Sequence, residues 1–107
     1  MSSLASRQCV PCRGGMPPMR GAEIREFLAE LEGWEAVEEH HLLKNFKFKD
    51  FRAAWDFVNR VGELAEAEGH HPDIRFGWGY AEIQIWTHKI DGLSESDFIL
   101  AAKIDTL

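Results

Sequence analysis

The sequence predicts a single α+β domain in which helices cover one face of a four-stranded antiparallel sheet. The chain has 107 residues, which is enough for one hydrophobic core. Three stretches carry apolar residues at helical spacing, and four short stretches alternate between apolar and polar residues. Their order is helix, strand, strand, helix, strand, strand, helix, which is typical of this class. We expect residues 21–107 to form the domain and residues 1–20 to form an irregular N-terminal arm.

The first predicted helix begins near Ala22, and Gly33 ends it. Its apolar residues recur at the spacing of a helix that lies on a core; they are Ile24, Phe27, Leu28 and Leu31. Two strands follow at residues 34–37 and 42–48, and the second of them alternates clearly between apolar and polar residues. A turn at residues 39–41 is expected to join them as a hairpin.

The chain contains five histidines, a residue that titrates near neutral pH and that transfers protons or binds metal ions. His40 and His41 fall in the turn of the predicted hairpin, so we interpret them as solvated residues and not as ligands. His70, His71 and His88 fall within one stretch of the second half of the chain. His70 and His71 stand directly before a proline, where a turn can aim side chains into a cleft. These three histidines form the candidate site.

The second helix is the longest periodic element, with Asp50 placed to cap it and Gly69 placed to end it. The residues expected to face the core are Phe51, Ala54, Trp55, Val58, Val61, Gly62 and Ala65. His70 and His71 follow the C-terminus of this helix, where the helix dipole favours a protonated imidazole. Glu66 lies one turn before His70 and is placed to hydrogen-bond it. The alternative is that Glu63, Glu66 and Glu68 simply form a solvated face of the helix.

Two further strands are predicted at residues 74–80 and 81–88. The third strand carries apolar and aromatic side chains on one face; they are Ile74, Phe76, Trp78 and Tyr80. Gly77 and Gly79 leave its other face open to a ligand, a helix or another chain. In the fourth strand, the residues expected to share one face are Ala81, Ile83, Ile85 and Thr87. His88 is expected to end this strand on its more polar side.

Ser94 and Asp97 open the last helix with the spacing of a capping box, in which each side chain bonds the backbone N–H of the other residue. Leu93 and Phe98 are spaced as the accompanying hydrophobic staple. This gives Asp97 a sufficient structural role without catalysis. The apolar face of the helix is expected to consist of Leu100, Ala101, Ile104 and Leu107. Since one sheet face and the edge strands remain uncovered, we expect a homodimer or a homotetramer.

The N-terminal arm has no helical or strand periodicity but contains a C-x-x-C pair, Cys9 and Cys12. Two thiolates at this spacing can share one metal ion or form a redox couple. The sequence has no second C-x-x-C and no histidine pair at zinc-finger spacing. Cys9 and Cys12 are therefore candidates for a metal or redox site, and the alternative is an exposed tail with two reduced thiols.

The charge and hydropathy of the chain limit the classes of partner and the cellular location that we expect. With 12 basic and 18 acidic residues the net charge is -6, and the sequence has no basic stripe with interleaved aromatic residues. Direct nucleic-acid binding is therefore not expected. No apolar run reaches the length of a membrane span, so no membrane partner is expected either. The N-terminus lacks a basic region followed by an apolar block, which predicts a cytoplasmic protein.

The histidines belong to a longer pattern that resembles the pterin-4a-carbinolamine dehydratase family. The family pattern is an acidic or polar residue, three others, His-His-Pro, an aromatic residue six positions later, a histidine ten beyond that, and an aspartate after a loop. The matching residues are Glu66, His70, His71, Pro72, Trp78, His88 and Asp97. The resemblance extends over residues 27–107 and includes Gly33-Trp34, residues 46–51 and residues 92–95.

The resemblance implies a hydro-lyase that removes water from 4a-hydroxytetrahydropterin, such as 4a-hydroxytetrahydrobiopterin, to give quinonoid dihydropterin. This reaction recycles the pterin cofactor of aromatic amino acid hydroxylases. The resemblance further implies that His70 and His88 are an acid/base pair and that His71 helps to bind the pterin. Glu66 would orient or charge-balance His70, and Trp78 would shape the pocket; both are counted with His71 among the substrate-binding residues. No metal or organic cofactor is implied, since the pterin is the substrate.

Three alternatives stand beside this activity. Some bacterial members of the family serve molybdopterin metabolism, which would make this chain a pterin-binding accessory protein. Animal members also stabilise the dimer of a homeodomain transcription factor, which would give the chain a coactivator-like, protein-interaction role. A zinc enzyme would use the three histidines as ligands. However, adjacent side chains point apart in an extended segment, so His70 and His71 are not expected to bind one ion.

The C-x-x-C arm and residues 75–79 depart from the family pattern. These departures affect the expected identity of the pterin substrate more than the expected fold.

Overall fold

A computed structural model, which describes residues 4–9 and 17–107, shows the predicted α+β architecture. The α-helices and strands occur in the expected order. The helices are α1 at Gly21–Leu28, α2 at Phe51–Glu68 and α3 at Glu95–Ile104. The strands are β1 at Glu35–Val37, β2 at His41–Lys47, β3 at Asp73–Gly77 and β4 at Tyr80–Ile85. Short 3-10 helices lie at Leu4–Ser6 and at His88–Ile90.

The sheet is antiparallel throughout and has the strand order β1-β2-β4-β3, so β4 lies between two partners and β1 and β3 form the edges. In β4 the predicted alternation is confirmed, because Ala81, Ile83 and Ile85 are fully buried and Thr87 beyond them is also buried. The helices pack on this face of the sheet, with α2 against β3 and β4 and with α3 against β2. The opposite face carries polar pairs, among them Arg75 and Glu82 at 3.2 Å.

Both ends of α2 are confirmed by their caps. Asp50 precedes the helix, and its side chain accepts a hydrogen bond of 2.8 Å from the backbone N–H of Ala53. Gly69 follows the helix in the left-handed conformation, with φ at +66°, and its N–H bonds the carbonyl of Ala65. Glycine adopts this conformation without the steric cost that a Cβ carries. The residue after the cap, His70, is thereby turned away from the helix axis.

The buried stripe of α2 was predicted wrongly in part. Phe51 and Trp55 are each 43% exposed, whereas Phe57, which was not assigned to the stripe, is buried. The buried residues of the helix are Ala54, Phe57, Val61 and Ala65. Ala54, Val61 and Ala65 confirm the prediction, whereas Phe57 takes the place expected for Phe51 and Trp55. Phe57 packs its ring against Phe46, with centroids 4.6 Å apart. The sequence pattern did not distinguish Phe57 from Phe51 and Trp55 because all three residues are aromatic.

The third strand is shorter than predicted. β3 ends at Gly77, which pairs with Tyr80, so Trp78 and Gly79 form a two-residue turn between β3 and β4. Gly79 has φ at +81°, a conformation that suits glycine in a tight hairpin turn. Trp78 is consequently 70% exposed at the tip of the hairpin and does not lie on a strand face.

The N-terminal segment packs onto the domain. Leu4 is fully buried in the core, and its short 3-10 helix contacts α3. The Nζ of Lys103 donates a hydrogen bond of 3.0 Å to the carbonyl of Ala5. The interpretation as an exposed tail is therefore wrong for residues 4–6, while the domain boundary at residue 20 stays a prediction. Cys12 lies outside the described residues.

In the described part of the chain, no helix combines the length and the apolar character that a membrane span requires.

Candidate functional site

The register of the sheet brings all five histidines to one end of it. Asp73 at the start of β3 lies opposite Gln84 near the end of β4, and Leu42 near the start of β2 lies opposite Ile85. The histidines directly precede β3, directly follow Trp86 and Thr87 after β4, or stand at the start of β2. Because antiparallel strands start and end at the same edge, these segments are neighbours. Trp78 lies at the opposite end of the β3–β4 hairpin, so one chain does not bring it together with the histidines.

His70 forms a hydrogen bond with a buried carboxylate at this end of the sheet. Its Nε2 lies 2.6 Å from Oδ1 of Asp97, the third residue of α3. The Asp97 side chain is fully buried and the His70 side chain is largely buried. A hydrogen bond between a buried carboxylate and an imidazole is short and strong, and it fixes the orientation of the ring. Asp97 therefore has a second role beside helix capping, which the sequence interpretation had left out.

The remaining contacts of Asp97 hold its carboxylate in place. Its Oδ2 accepts hydrogen bonds of 2.8 Å from the hydroxyl of Thr87 and from the backbone N–H of Ser94. The capping box of Ser94 and Asp97 is confirmed, and the Thr87 and Ser94 hydroxyls are also bonded to each other at 2.8 Å. With Oδ2 occupied, Oδ1 is left to accept from His70. The Nε2 of His70 then carries the hydrogen, and Nδ1 is the ring nitrogen that Asp97 does not contact.

His71 pairs with Glu66, which corrects the expected partner of that carboxylate. The Glu66 carboxylate contacts Nε2 of His71 and not His70. The two histidines diverge as expected for an extended segment, because His70 turns inward to α3 while His71 turns back to α2. Both members of the His71–Glu66 pair are exposed, so the pair is open to solvent and to a ligand.

His88 belongs to an aromatic cluster around Trp86 that the sequence did not indicate. His88 begins a 3-10 helix after β4 and does not end the strand, and its ring centroid lies 4.5 Å from that of Trp86. The rings of His40 and His41 lie 5.4 and 6.0 Å from Trp86. We name these four residues the Trp86 cluster. The pairing of β2 with β4 creates it, and the whole of α2 separates those strands in the sequence.

His40 and His41 are therefore more ordered than solvated turn residues. The Nδ1 atoms of the two rings lie 3.1 Å apart, so one nitrogen donates to the other. The Nε2 of His40 lies 2.8 Å from a carboxylate oxygen of Asp91, in the loop that follows His88. Among residues 4–9 and 17–107, no three histidine, cysteine or acidic side chains are grouped so that they could hold a metal ion.

Thr87 connects the Trp86 cluster to the His70–Asp97 pair. Its hydroxyl bonds Asp97, and its backbone pairs with Gly92, with the N–H of Thr87 donating to the Gly92 carbonyl at 2.8 Å. This pairing closes the loop that carries His88. Thr87 thus links the carboxylate that contacts His70 to the loop that carries His88.

Cys9, one of the two candidate thiols, lies half-buried against α2 and α3. Its backbone N–H donates to Oε1 of Glu68 at 3.0 Å, and its Sγ donates to the carbonyl of Ser96 at 3.5 Å. Burial, together with the negative charge of Glu68, raises the pKa of Cys9 to about 12. Metal binding and nucleophilic chemistry both require the thiolate. The surroundings of Cys9 therefore oppose both roles.

Folding stability is expected to fall above pH 9 because of this thiol. In the unfolded chain Cys9 ionises near the ordinary value of 9.0, whereas folding raises the pKa to about 12. The stabilising effect is therefore complete below pH 9 and is lost as the pH rises towards 12. Urea denaturation of wild type and Cys9→Ser measures this, and wild type should lose stability relative to the variant from about pH 9 to pH 11. A constant difference over that range would contradict the expectation.

The fold and the site together define a small α+β protein with five histidines at one end of its sheet, three of which contact carboxylates. A sequence model of the family described as "Pterin 4 alpha carbinolamine dehydratase" matches residues 17–107. The chain belongs to this family, which confirms the resemblance noted from its motifs.

Relatives of known sequence match almost the whole chain. A protein of Rubrobacter xylanophilus named "Putative pterin-4-alpha-carbinolamine dehydratase" is 63% identical over 107 residues, which is 100% of both chains. A protein of the same name from Alkaliphilus metalliredigens is 50% identical over 106 residues, 98% of this chain and 96% of its own. The similarity thus extends into the N-terminal residues that precede the family match.

Two solved structures share the fold. A transcriptional coactivator/pterin dehydratase from Brucella melitensis superposes with a TM-score of 0.78 and 30% identity, covering 83% of this chain and 96% of that chain. A pterin dehydratase-like protein, described as a RuBisCO assembly factor in the alpha-carboxysome, superposes with a TM-score of 0.60 and 26% identity. It covers 70% of this chain and 88% of its own.

Proposed function

We propose that the protein dehydrates 4a-hydroxytetrahydropterin to quinonoid dihydropterin by histidine acid/base catalysis. Membership of the dehydratase family supports the reaction class. The observation that carries the proposal is the His70–Asp97 pair, in which a fully buried carboxylate orients an imidazole at the edge of the sheet. An oriented imidazole is the usual group for proton transfer near neutral pH.

The reaction needs one proton to be given and one to be taken. Hydroxide is a poor leaving group, so an acid protonates the 4a-hydroxyl group as it departs as water. A base removes the proton from a ring nitrogen of the pterin, which restores the charge balance. We assign these steps to His70 and His88 as a pair. Nδ1 of His70 exchanges the proton, because Asp97 occupies Nε2.

His71 and Glu66 are proposed to bind the substrate. Both are exposed beside His70, and together they present a hydrogen-bond donor and an acceptor to the polar edge of a pterin ring. Trp78 lies at the other end of the hairpin in the same chain, so its contribution to a pocket would require a second copy of the chain. The proposed reaction recycles a pterin cofactor, with the pterin itself as substrate and with no further cofactor.

The proposal is tested by a stopped-flow dehydration assay with synthetic 4a-hydroxytetrahydropterin. Wild-type protein should accelerate the appearance of quinonoid dihydropterin in proportion to protein concentration. A rate equal to that of buffer alone would refute the assignment. Using the protein with Cys9→Ser as a second sample excludes a contribution from the thiol, because serine keeps the backbone N–H that bonds Glu68.

A protein-interaction role is a second candidate, and exposed aromatic residues favour it. Phe51 and Trp55 on α2 and Tyr80 on β4 are all exposed, and the Arg52 guanidinium lies 4.9 Å from the Trp55 ring centroid. Aromatic residues and arginine are enriched in protein interfaces. A second copy of this chain would also suit the surface, as the expected homodimer or homotetramer requires. Trp55→Ala should weaken self-association in sedimentation without abolishing dehydration, and unchanged association would contradict an interface at this helix.

A further inference from the structure

The N-terminal segment contacts both helix ends that carry the His70–Asp97 pair. Cys9 donates its backbone N–H to Glu68, which stands two residues before His70. Its Sγ donates to the carbonyl of Ser96, which stands one residue before Asp97. Cys9 therefore contacts a residue close in sequence to each member of the pair.

Glu68 occupies a position that a free carboxylate avoids. It is the last residue of α2, where the helix dipole repels negative charge, and its side chain is only 16% exposed. Two groups stabilise the negative charge of Glu68: the N–H of Cys9 at 3.0 Å and the Nζ of Lys103 at 3.7 Å. The hydrogen bond from Cys9 lowers the pKa of Glu68, and Lys103 adds to this against the opposing effect of burial. The charged carboxylate of Glu68 therefore links α2 to the N-terminal segment and to α3.

Lys103 extends this link to α3 and back to the N-terminal segment. It lies on α3, six residues after Asp97, and it also donates a hydrogen bond to the carbonyl of Ala5. Glu68 of α2, Lys103 of α3 and the backbone of residues 5–9 thus close a ring of polar contacts. This ring spans the gap between α2 and α3 that the His70–Asp97 hydrogen bond also spans.

We propose that Glu68 is a positioning residue for the dehydration, acting with Lys103 and the backbone of Cys9 to set the spacing of His70 and Asp97. The inference rests on the proposed function, but it concerns residues outside the proposed substrate contacts. Without the charge on Glu68, the C-terminal end of α2 loses its ties to α3 and to the N-terminal segment. The His70 ring then departs from the orientation that Asp97 fixes.

The test compares Glu68→Ala with Glu63→Ala, an exposed glutamate of the same helix. For Glu68→Ala we expect kcat to fall about tenfold with KM within about twofold of wild type, since misplaced catalytic groups lower the rate and not the ground-state binding. The ¹⁵N NMR signals of the His70 ring should change from the single tautomer that Asp97 imposes. Glu63→Ala should match wild type in both measurements, and so should Cys9→Ser, which retains the backbone donor.

Each outcome decides the inference. An unchanged kcat for Glu68→Ala would overturn it, and so would a lowered kcat with unchanged His70 signals. If Glu68→Ala does not fold, Glu68→Gln replaces it; a partial loss of kcat with altered His70 signals supports the inference, and wild-type values in both overturn it. If wild type shows no dehydration, the proposed function fails, and the His70 signals of the Glu68 variant alone decide whether Glu68 positions the pair.

Discussion

Replacement of His70 or His88 by alanine is expected to lower kcat for dehydration by at least roughly a hundredfold, which is the scale of a lost general acid or base. His70 is proposed to exchange a proton through Nδ1, because Asp97 contacts Nε2. His88 is proposed as the other member of the pair, and its ring rests against Trp86. Stopped-flow kinetics at saturating substrate measures the loss for each variant separately.

A third histidine, His71, and an unrelated glutamate, Glu63, provide controls for this result. His71→Ala should raise KM more than it lowers kcat, because His71 is proposed to bind the pterin and not to transfer the proton. Glu63→Ala should leave both parameters at wild-type values. If His70→Ala and His88→Ala both retained wild-type kcat, acid/base catalysis by these residues would be wrong, even with an active wild-type protein.

Replacement of Asp97 is expected to damage folding and activity together. Its carboxylate accepts from His70, Thr87 and Ser94 in a fully buried position. Asp97→Ala leaves these donors without their acceptor and removes part of a helix cap, so the free energy of unfolding should fall by about 2–5 kcal/mol. Urea denaturation measures this loss. Asp97→Asn keeps the shape and should lower kcat at least about tenfold, because an amide orients the His70 ring less firmly than a carboxylate.

Ser94→Ala separates the capping of α3 from the orientation of His70, which are the two roles of the Asp97 carboxylate. The substitution removes the capping hydroxyl of Ser94, and with it about 1 kcal/mol of stability, but it leaves the contact between Asp97 and His70. Its kcat should therefore stay near wild type. A wild-type kcat for Asp97→Asn would contradict the orienting role and leave Asp97 with its structural role alone.

The helix ends could be predicted from the sequence because they depend on local chemistry. Asp50 caps α2 through a neighbour three residues away, and Gly69 ends it through its own backbone conformation. The buried stripe was less certain, because the choice between Trp55 and Phe57 is a rotation of the helix that only the packed sheet determines. The alternation in β4 was predicted correctly because the aliphatic residues Ala81, Ile83 and Ile85 alternate with the polar residues Glu82 and Gln84.

The partners of the site residues could not be predicted, because they come from distant parts of the chain. His70 and Asp97 are 27 residues apart in the sequence, whereas Glu66 is close and was chosen for that reason. The same applies to Trp86 and His40, which meet only after β2 pairs with β4. Sequence therefore identified the three histidines as a candidate site, while the hydrogen bonds that distinguish their roles required the fold.

The shared carboxylate of Asp97 has a consequence for judging other members of the family. One side chain caps α3 and orients His70, so a chain that lost the reaction would still need an aspartate at this position in order to fold. An aspartate at this position is consequently not sufficient evidence of the chemistry, because the fold alone also requires it. The informative position is the one equivalent to His70, because folding alone places no comparable demand on an imidazole. A relative with this aspartate but without that histidine is expected to keep the structure and to lack the dehydratase activity.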